Sequence, residues 1–400
     1  MKLNQQVNHK LKTIALLTAA VLVTACQDEK TTEEEAFVPA KYNAVITTRA
    51  ADYSAGDHAI AKLSDYSVKT RNFSSGSDTV VSTYKDKIFR LGRYNMNNIT
   101  QFDIDSPESI IWQFSTDDAN VADDNSNPYK MVVSNDQKAY IIRYGSDKIW
   151  IVNPSANNIT DFRLGEINLS SYADADDKPE MADALIVDTK LYVIIQRLDR
   201  NNNFTPGDAY LAIFNTDDDS EIDTNGSTTP KGVMLTVQNP QHIEYLSSNN
   251  TLYISAAGQY AASWNNTPAA YTGGIESIKL SDYSSAIVLD DGPADTGLYG
   301  NISNAAILNS TRGYFVGYKG FGDNTLYEFN PSDTAVTPTI ILDNKDIADI
   351  EIGPLGDLWV ANATDNGVTL IHTTNNVVRN SLIDTVLTPM NIEFVTHEDL

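Results

Sequence analysis

Lys138-Ala139-Tyr140-Ile141-Ile142 decides the fold because it returns. Versions of it stand at Lys87-Ile88-Phe89-Arg90, Lys190-Leu191-Tyr192-Val193-Ile194, Thr251-Leu252-Tyr253-Ile254, Arg312-Gly313-Tyr314-Phe315-Val316 and Asp357-Leu358-Trp359-Val360. The aromatic positions lie 51, 52, 61, 61 and 45 residues apart. That period fits a four-stranded propeller blade with variable loops.

Working outward, a short apolar strand precedes each copy, as in Met131-Val132-Val133 and Ile350-Glu351-Ile352. A third strand follows and often runs into a turn, as in Ile149-Trp150-Ile151-Val152-Asn153-Pro154, which suits a tight hairpin to a fourth. Six blades follow from this count. The N-terminal strands Ala44–Thr48, Ala59–Leu63 and Tyr66–Lys69 lack a first strand, and Met390–Val395 supplies it. The expectation is an all-β, seven-bladed β-propeller over residues 41–396, closed by pairing of its N- and C-terminal strands, which removes exposed sheet edges.

Residues 1–25 carry Lys2, Lys10 and Lys12 and then an uncharged apolar run, the layout of a secretory signal and too short to span a bilayer. The run ends Val23-Thr24-Ala25-Cys26, which resembles the bacterial lipobox and makes Cys26, the only cysteine, the expected lipidation site. Gln27, in place of the aspartate that retains lipoproteins in the inner membrane, favours the outer membrane. Residues 26–40 read as an acidic, flexible tether. The net charge of −25 becomes −28 once the three signal lysines are removed, which argues against nucleic acid as a partner.

With these features the chain resembles the YncE-like seven-bladed propeller lipoproteins. Relatives of that kind include ligand-capturing partners of TonB-dependent receptors, so a siderophore, corrinoid or haem-like cargo is what the resemblance implies.

Six of the ten arginines, Arg49, Arg90, Arg93, Arg143, Arg197 and Arg200, fall at the end of a second strand or in the loop after it. All these loops belong on the rim around the channel, so the arginines are expected to recognise a carboxylate or phosphate there. Their other reading is pairing with carboxylates of neighbouring blades. Tyr94, Tyr144, Trp264 and Tyr318 accompany them as stacking surfaces, and the long loop Gln259–Thr272 around Trp264 suits flat or sugar-like ligands.

Asp217, Asp219, Glu221 and Asp223 alternate oxygen donors as calcium loops do, without the EF-hand order, and calcium is the cofactor they would take. A channel calcium of the lactonase kind would need one carboxylate and several amides, for which Glu180, Asn127, Asn239, Asn304 and Asn391 are candidates. No nucleophile elbow or metal-spaced histidine pair is present. Three functions remain: a binding lipoprotein with an Arg/aromatic rim, accessory to an outer-membrane transporter; an envelope protein scaffold; and a calcium-dependent lactonase or hydrolase.

Overall fold

The computed structural model describes residues 41–119, 125–226, 229–333, 335–379 and 381–397. The signal, Cys26 and the tether lie outside these residues.

Seven antiparallel sheets make the seven-bladed β-propeller. Blade 1 combines the C-terminal strand Thr388–Thr396 with Tyr42–Arg49, Gly56–Lys62 and Val68–Lys69. Ile46 lies opposite Ile392 in that closing pair. The first strands of blades 2 to 7 are Thr79–Tyr84, Pro128–Asn135, Met181–Val187, Pro240–Leu246, Asn301–Asn309 and Ile347–Ile352. They touch one another around the ring and so form its inner wall. Blade 1's outer strand is shorter than the sequence suggests: Tyr66 takes a left-handed φ of 58° in the turn closed by its N–H on Lys62, leaving two residues to pair.

Seven apolar clusters hold the ring, one in each seam between blades. The repeated aromatics fill these seams, each facing the blade that follows: Phe89 toward blade 3, Tyr140 toward blade 4, Trp359 toward blade 1. Flat rings on one face of a strand bury large areas against the next sheet, which is why the aromatic recurs. In blade 1 the position belongs to Val45, so the aromatic rhythm misses that blade.

The upper rim carries the loops from second to third strands and the loops into each new blade. Tyr42–Arg49 climbs toward it, so Lys41 sits on the lower rim, where its carbonyl accepts from His397 N–H at 2.7 Å. Lys41, the first described residue, is therefore on the rim opposite these loops.

Candidate functional site

In six blades the first strand begins with a β-bulge against the second, leaving Met390, Tyr129, Ala182, Gln241, Ser303 and Ala348 unpaired. A bulge re-aims one side chain off the sheet. All six residues line one cavity of about 510 Å³ on the ring axis. One position lower comes a polar tier of Asn391, Lys130, Asp183, His242, Asn304 and Asp349. Two positions lower again stand Glu393, Glu244 and Glu351, each paired in register with the seam position of its own second strand: Val45, Tyr253 and Trp359.

First strands are the inner edges of their sheets, so their outward N–H groups have no strand partner and need one. Side chains of the preceding blade supply it. Asp349 accepts from Ile392 N–H at 2.8 Å, Asn391 from Val81 N–H at 3.0 Å, Ser82 from Met131 N–H at 3.1 Å, Asp183 from Ile243 N–H at 3.3 Å and Glu244 from Ile307 N–H at 2.6 Å. Asn304 donates to Asp349 at 2.6 Å. These bonds hoop six of the seven seams.

Charge in the channel is unequal. Lys130 pairs with Glu393 at 2.5 Å, and His242 Nδ1 with Asp183 at 2.9 Å. Burial opposes the charge on His242, but Asp183 outweighs it and pushes the imidazole up to about 10. Burial pushes Asp349 up to about 6 despite the donors around it. Glu351 has no hydrogen bond or ion pair among the described residues, and burial with Asp349 nearby holds its carboxyl well above the ordinary range.

Two of the expected arginines reach this cavity. Arg49 lies at its mouth with its guanidinium 4.0 Å from the centre of the Tyr53 ring. Among the described residues its guanidinium makes no ion pair or hydrogen bond, a state shared only by Arg71, with Asp346 in electrostatic reach. Arg93 is held by Asp78 at 2.5 Å and lies over Tyr129 at 4.7 Å. Tyr129 stacks on Tyr144 at 4.3 Å and 13°, and Arg200 closes the far side of Tyr144 at 5.8 Å. The ladder staples blades 2, 3 and 4 beside the mouth.

The other arginines do not converge there. Arg90 is 3% exposed, donates to Phe73 O at 2.6 Å and lies 3.1 Å from His58 Nδ1; burial and Arg90 push that imidazole down to about 4. Arg143 is fully buried over Trp150 and bonded to Asp118 at 3.0 Å. Arg197 donates to Asp208 O at 3.4 Å. Arg200 pairs with Glu180 at 3.1 Å. Strand position fixed the rim level of these residues, and a carboxylate or carbonyl, from another loop for Arg90, Arg143 and Arg200 and from its own loop for Arg197, turned each away from the channel. Tyr318 packs edge-on to Tyr260, while Tyr94 and Trp264 stand exposed, Trp264 on a ribbon closed by bridges at Gln259–Ala270 and Ala262–Thr267.

The expected calcium loop is also corrected. Asp219 accepts from Tyr140 and Lys138, Glu221 accepts from Tyr172, and Asp223 caps the turn at Asn225 and Gly226. Asp217 is not brought to them as a ligand set: the grouping that could hold a metal among the described residues is Asp174, Asp176 and Glu180, beside which the Arg200 guanidinium already sits. Glu180, pushed up to about 8 by burial and Asp176, is buried there and not in the channel. Asn127 and Asn239 adopt left-handed φ of 45° and 58° and tie neighbouring loops, Asn127 Oδ1 accepting from Tyr94 N–H at 2.9 Å and Asn239 donating to Gly258 O at 2.7 Å. Only Asn304 and Asn391 reach the channel, where both amides donate to Asp349.

Apart from Asn304 and Asn391, the channel tiers escaped the sequence reading, although their signal is present: a polar residue stands directly before an apolar one in Lys130-Met131, His242-Ile243, Asn304-Ala305 and Asp349-Ile350.

Fold and channel together define a seven-bladed propeller with a polar axial cavity. Solved structures agree with the fold. A candidate 6-phosphogluconolactonase from Bacteroides fragilis shares 11% identity at a TM-score of 0.57, covering 89% of this chain and 98% of that one. AztD from Citrobacter koseri shares 12% at 0.51, with 89% and 98% covered, and a Lactobacillus plantarum protein 13% at 0.55, with 88% and 99%. No family model and no curated protein matches the chain.

Proposed function

We propose that this chain is a lipid-anchored binding propeller, of the YncE-like kind, that takes a small carboxylate- or phosphate-bearing ligand at its channel mouth. The observation that carries this reading is the unpaired Arg49 guanidinium, stacked on Tyr53 at the opening of a 510 Å³ cavity. A guanidinium with all its donors uncommitted is the protein's best planar anion receptor, and in a chain of net charge −25 it has few rivals. In this reading the ring is accessory to an outer-membrane transporter and needs no catalytic group.

A thermal-shift screen of anionic metabolites tests it. Hits on the intact protein should vanish in Arg49→Ala and persist in Arg197→Ala; hits indifferent to Arg49 would remove the reading. The anchor has its own test, since Cys26→Ser should abolish labelling by a fatty-acid probe and release a folded ring into the soluble fraction.

A second reading, docking on an envelope protein, is favoured by the exposed aromatics. Tyr53, Tyr94, Phe204, Trp264 and Phe321 are the exposed aromatics among the described residues, and all five sit in upper-rim loops of different blades. Crosslinking from these loops in the native membrane should then give one protein partner.

A further inference from the structure

We infer that the channel ligand is an extended zwitterion, its anionic end on Arg49 and an ammonium end beside Glu351; this rests on the binding reading above. The cavity is bipolar. Among the described residues, its mouth holds a guanidinium in no ion pair, with Asp346 in electrostatic reach, and its lower tier holds a carboxyl in no ion pair, with His242 and Lys130 in electrostatic reach.

Inside the ring five carboxylates, Asp183, Glu244, Asp349, Glu351 and Glu393, face only Lys130 and His242. Lys130 is bonded to Glu393 and His242 to Asp183. Asp349 is saturated by two amides and two backbone N–H groups, and Glu244 accepts from Ile307. Glu351 is left over. An ammonium group placed there would meet a carboxyl that no cation holds in an ion pair, Lys130 and His242 being bonded elsewhere, and would draw it to its charged form. Two further atoms could meet a polar ligand in the tier above: the buried Nε2 of His242 and Oδ1 of Asn304 have no hydrogen-bond partner among the described residues.

Register gives the ligand's length. Arg49 lies opposite Thr388, and Glu351 lies on the level of Glu393. Allowing for the bulge at Met390, about four strand residues separate the levels, or about 13 Å of backbone, which the long arginine side chain shortens. A two-carbon amino acid cannot span that gap; a chain of six to eight atoms can.

Titration calorimetry on the Cys26→Ser protein, with 8-aminooctanoate, octanoate, octylamine and glycine as probes, tests the inference. The aminooctanoate should bind at least tenfold more tightly than octanoate or octylamine, and glycine should not bind. Glu351→Gln should remove that tenfold advantage while leaving octanoate binding intact, and Arg49→Ala should abolish both. Glu351 makes no hydrogen bond or ion pair among the described residues, so its variant is expected to melt as the parent does. Octanoate binding lost in Arg49→Ala, with no advantage for the zwitterion, would overturn the inference and keep the mouth; octylamine binding alone, or no binding by any probe, would overturn the inference and count against the mouth itself.

Discussion

A single carboxylate shows how this ring is held. Asp349 is the acceptor for Ile392 N–H and for both channel amides, and among the described residues those donors have no other side-chain partner. Asp349→Ala should cost about 3 kcal/mol, since buried donors left without acceptors carry their full desolvation penalty. Asp349→Asn should cost clearly less, and urea denaturation of the two variants would show the order. If the alanine variant is as stable as the parent, the hoop is not what fastens the inner wall. At this scale the sequence was readable in part. The seam aromatics announce themselves by period, whereas the fates of Arg90 and Arg143 depend on Phe73 and Asp118, groups from other loops whose proximity no spacing encodes.

Among elements, the closing strand carries the greatest load. Thr388–Thr396 contributes the inner wall of blade 1 and seals the seams to blades 7 and 2. Truncation after Leu387 should expose two apolar seams and the edge of Tyr42–Arg49, so the cooperative thermal transition should be lost and protease sensitivity should rise across blade 1. A truncated chain that still melts in one sharp transition would contradict closure by this strand. The pairing of the two ends could be foreseen because one terminal region lacked a first strand and the other offered one. The bulges could not. A one-residue slip at the start of a strand leaves the alternation of the remaining residues unchanged, yet it is this slip that turns Tyr129 and Gln241 into the channel.

For the whole molecule, burial sets the pH response. The carboxyls of Asp349, Asp291 and Glu180 are raised by burial from 3.8, 3.8 and 4.5 to about 6, 7 and 8. The folded state therefore binds more protons than the unfolded one between those values, and stability falls as pH rises through them. His242 adds the same sign: its folded value near 10 against 6.5 means that the stabilisation from Asp183 is full below pH 6.5 and is lost toward pH 10. Asp183 and Asp103 act oppositely, held low by their cationic partners despite burial, so that their contribution disappears as pH falls below the ordinary carboxylate range. The melting temperature should be highest near pH 5 and decline steadily to pH 9. Added salt should recover part of the loss at pH 8 by screening a net charge of −25. A flat profile from pH 5 to 9 would mean that these buried groups are hydrated.

The account turns on Arg49 being the uncommitted guanidinium at a mouth that accepts anions, and arginine footprinting reads this directly. The soluble Cys26→Ser protein would be treated with phenylglyoxal and its adducts mapped by mass spectrometry, with and without saturating carboxylate ligand. Arg49 and the exposed Arg71 should react ahead of the other eight arginines, and ligand should protect Arg49 while leaving Arg71 reactive. An unreactive Arg49, or one modified equally with and without ligand, would contradict the central claim.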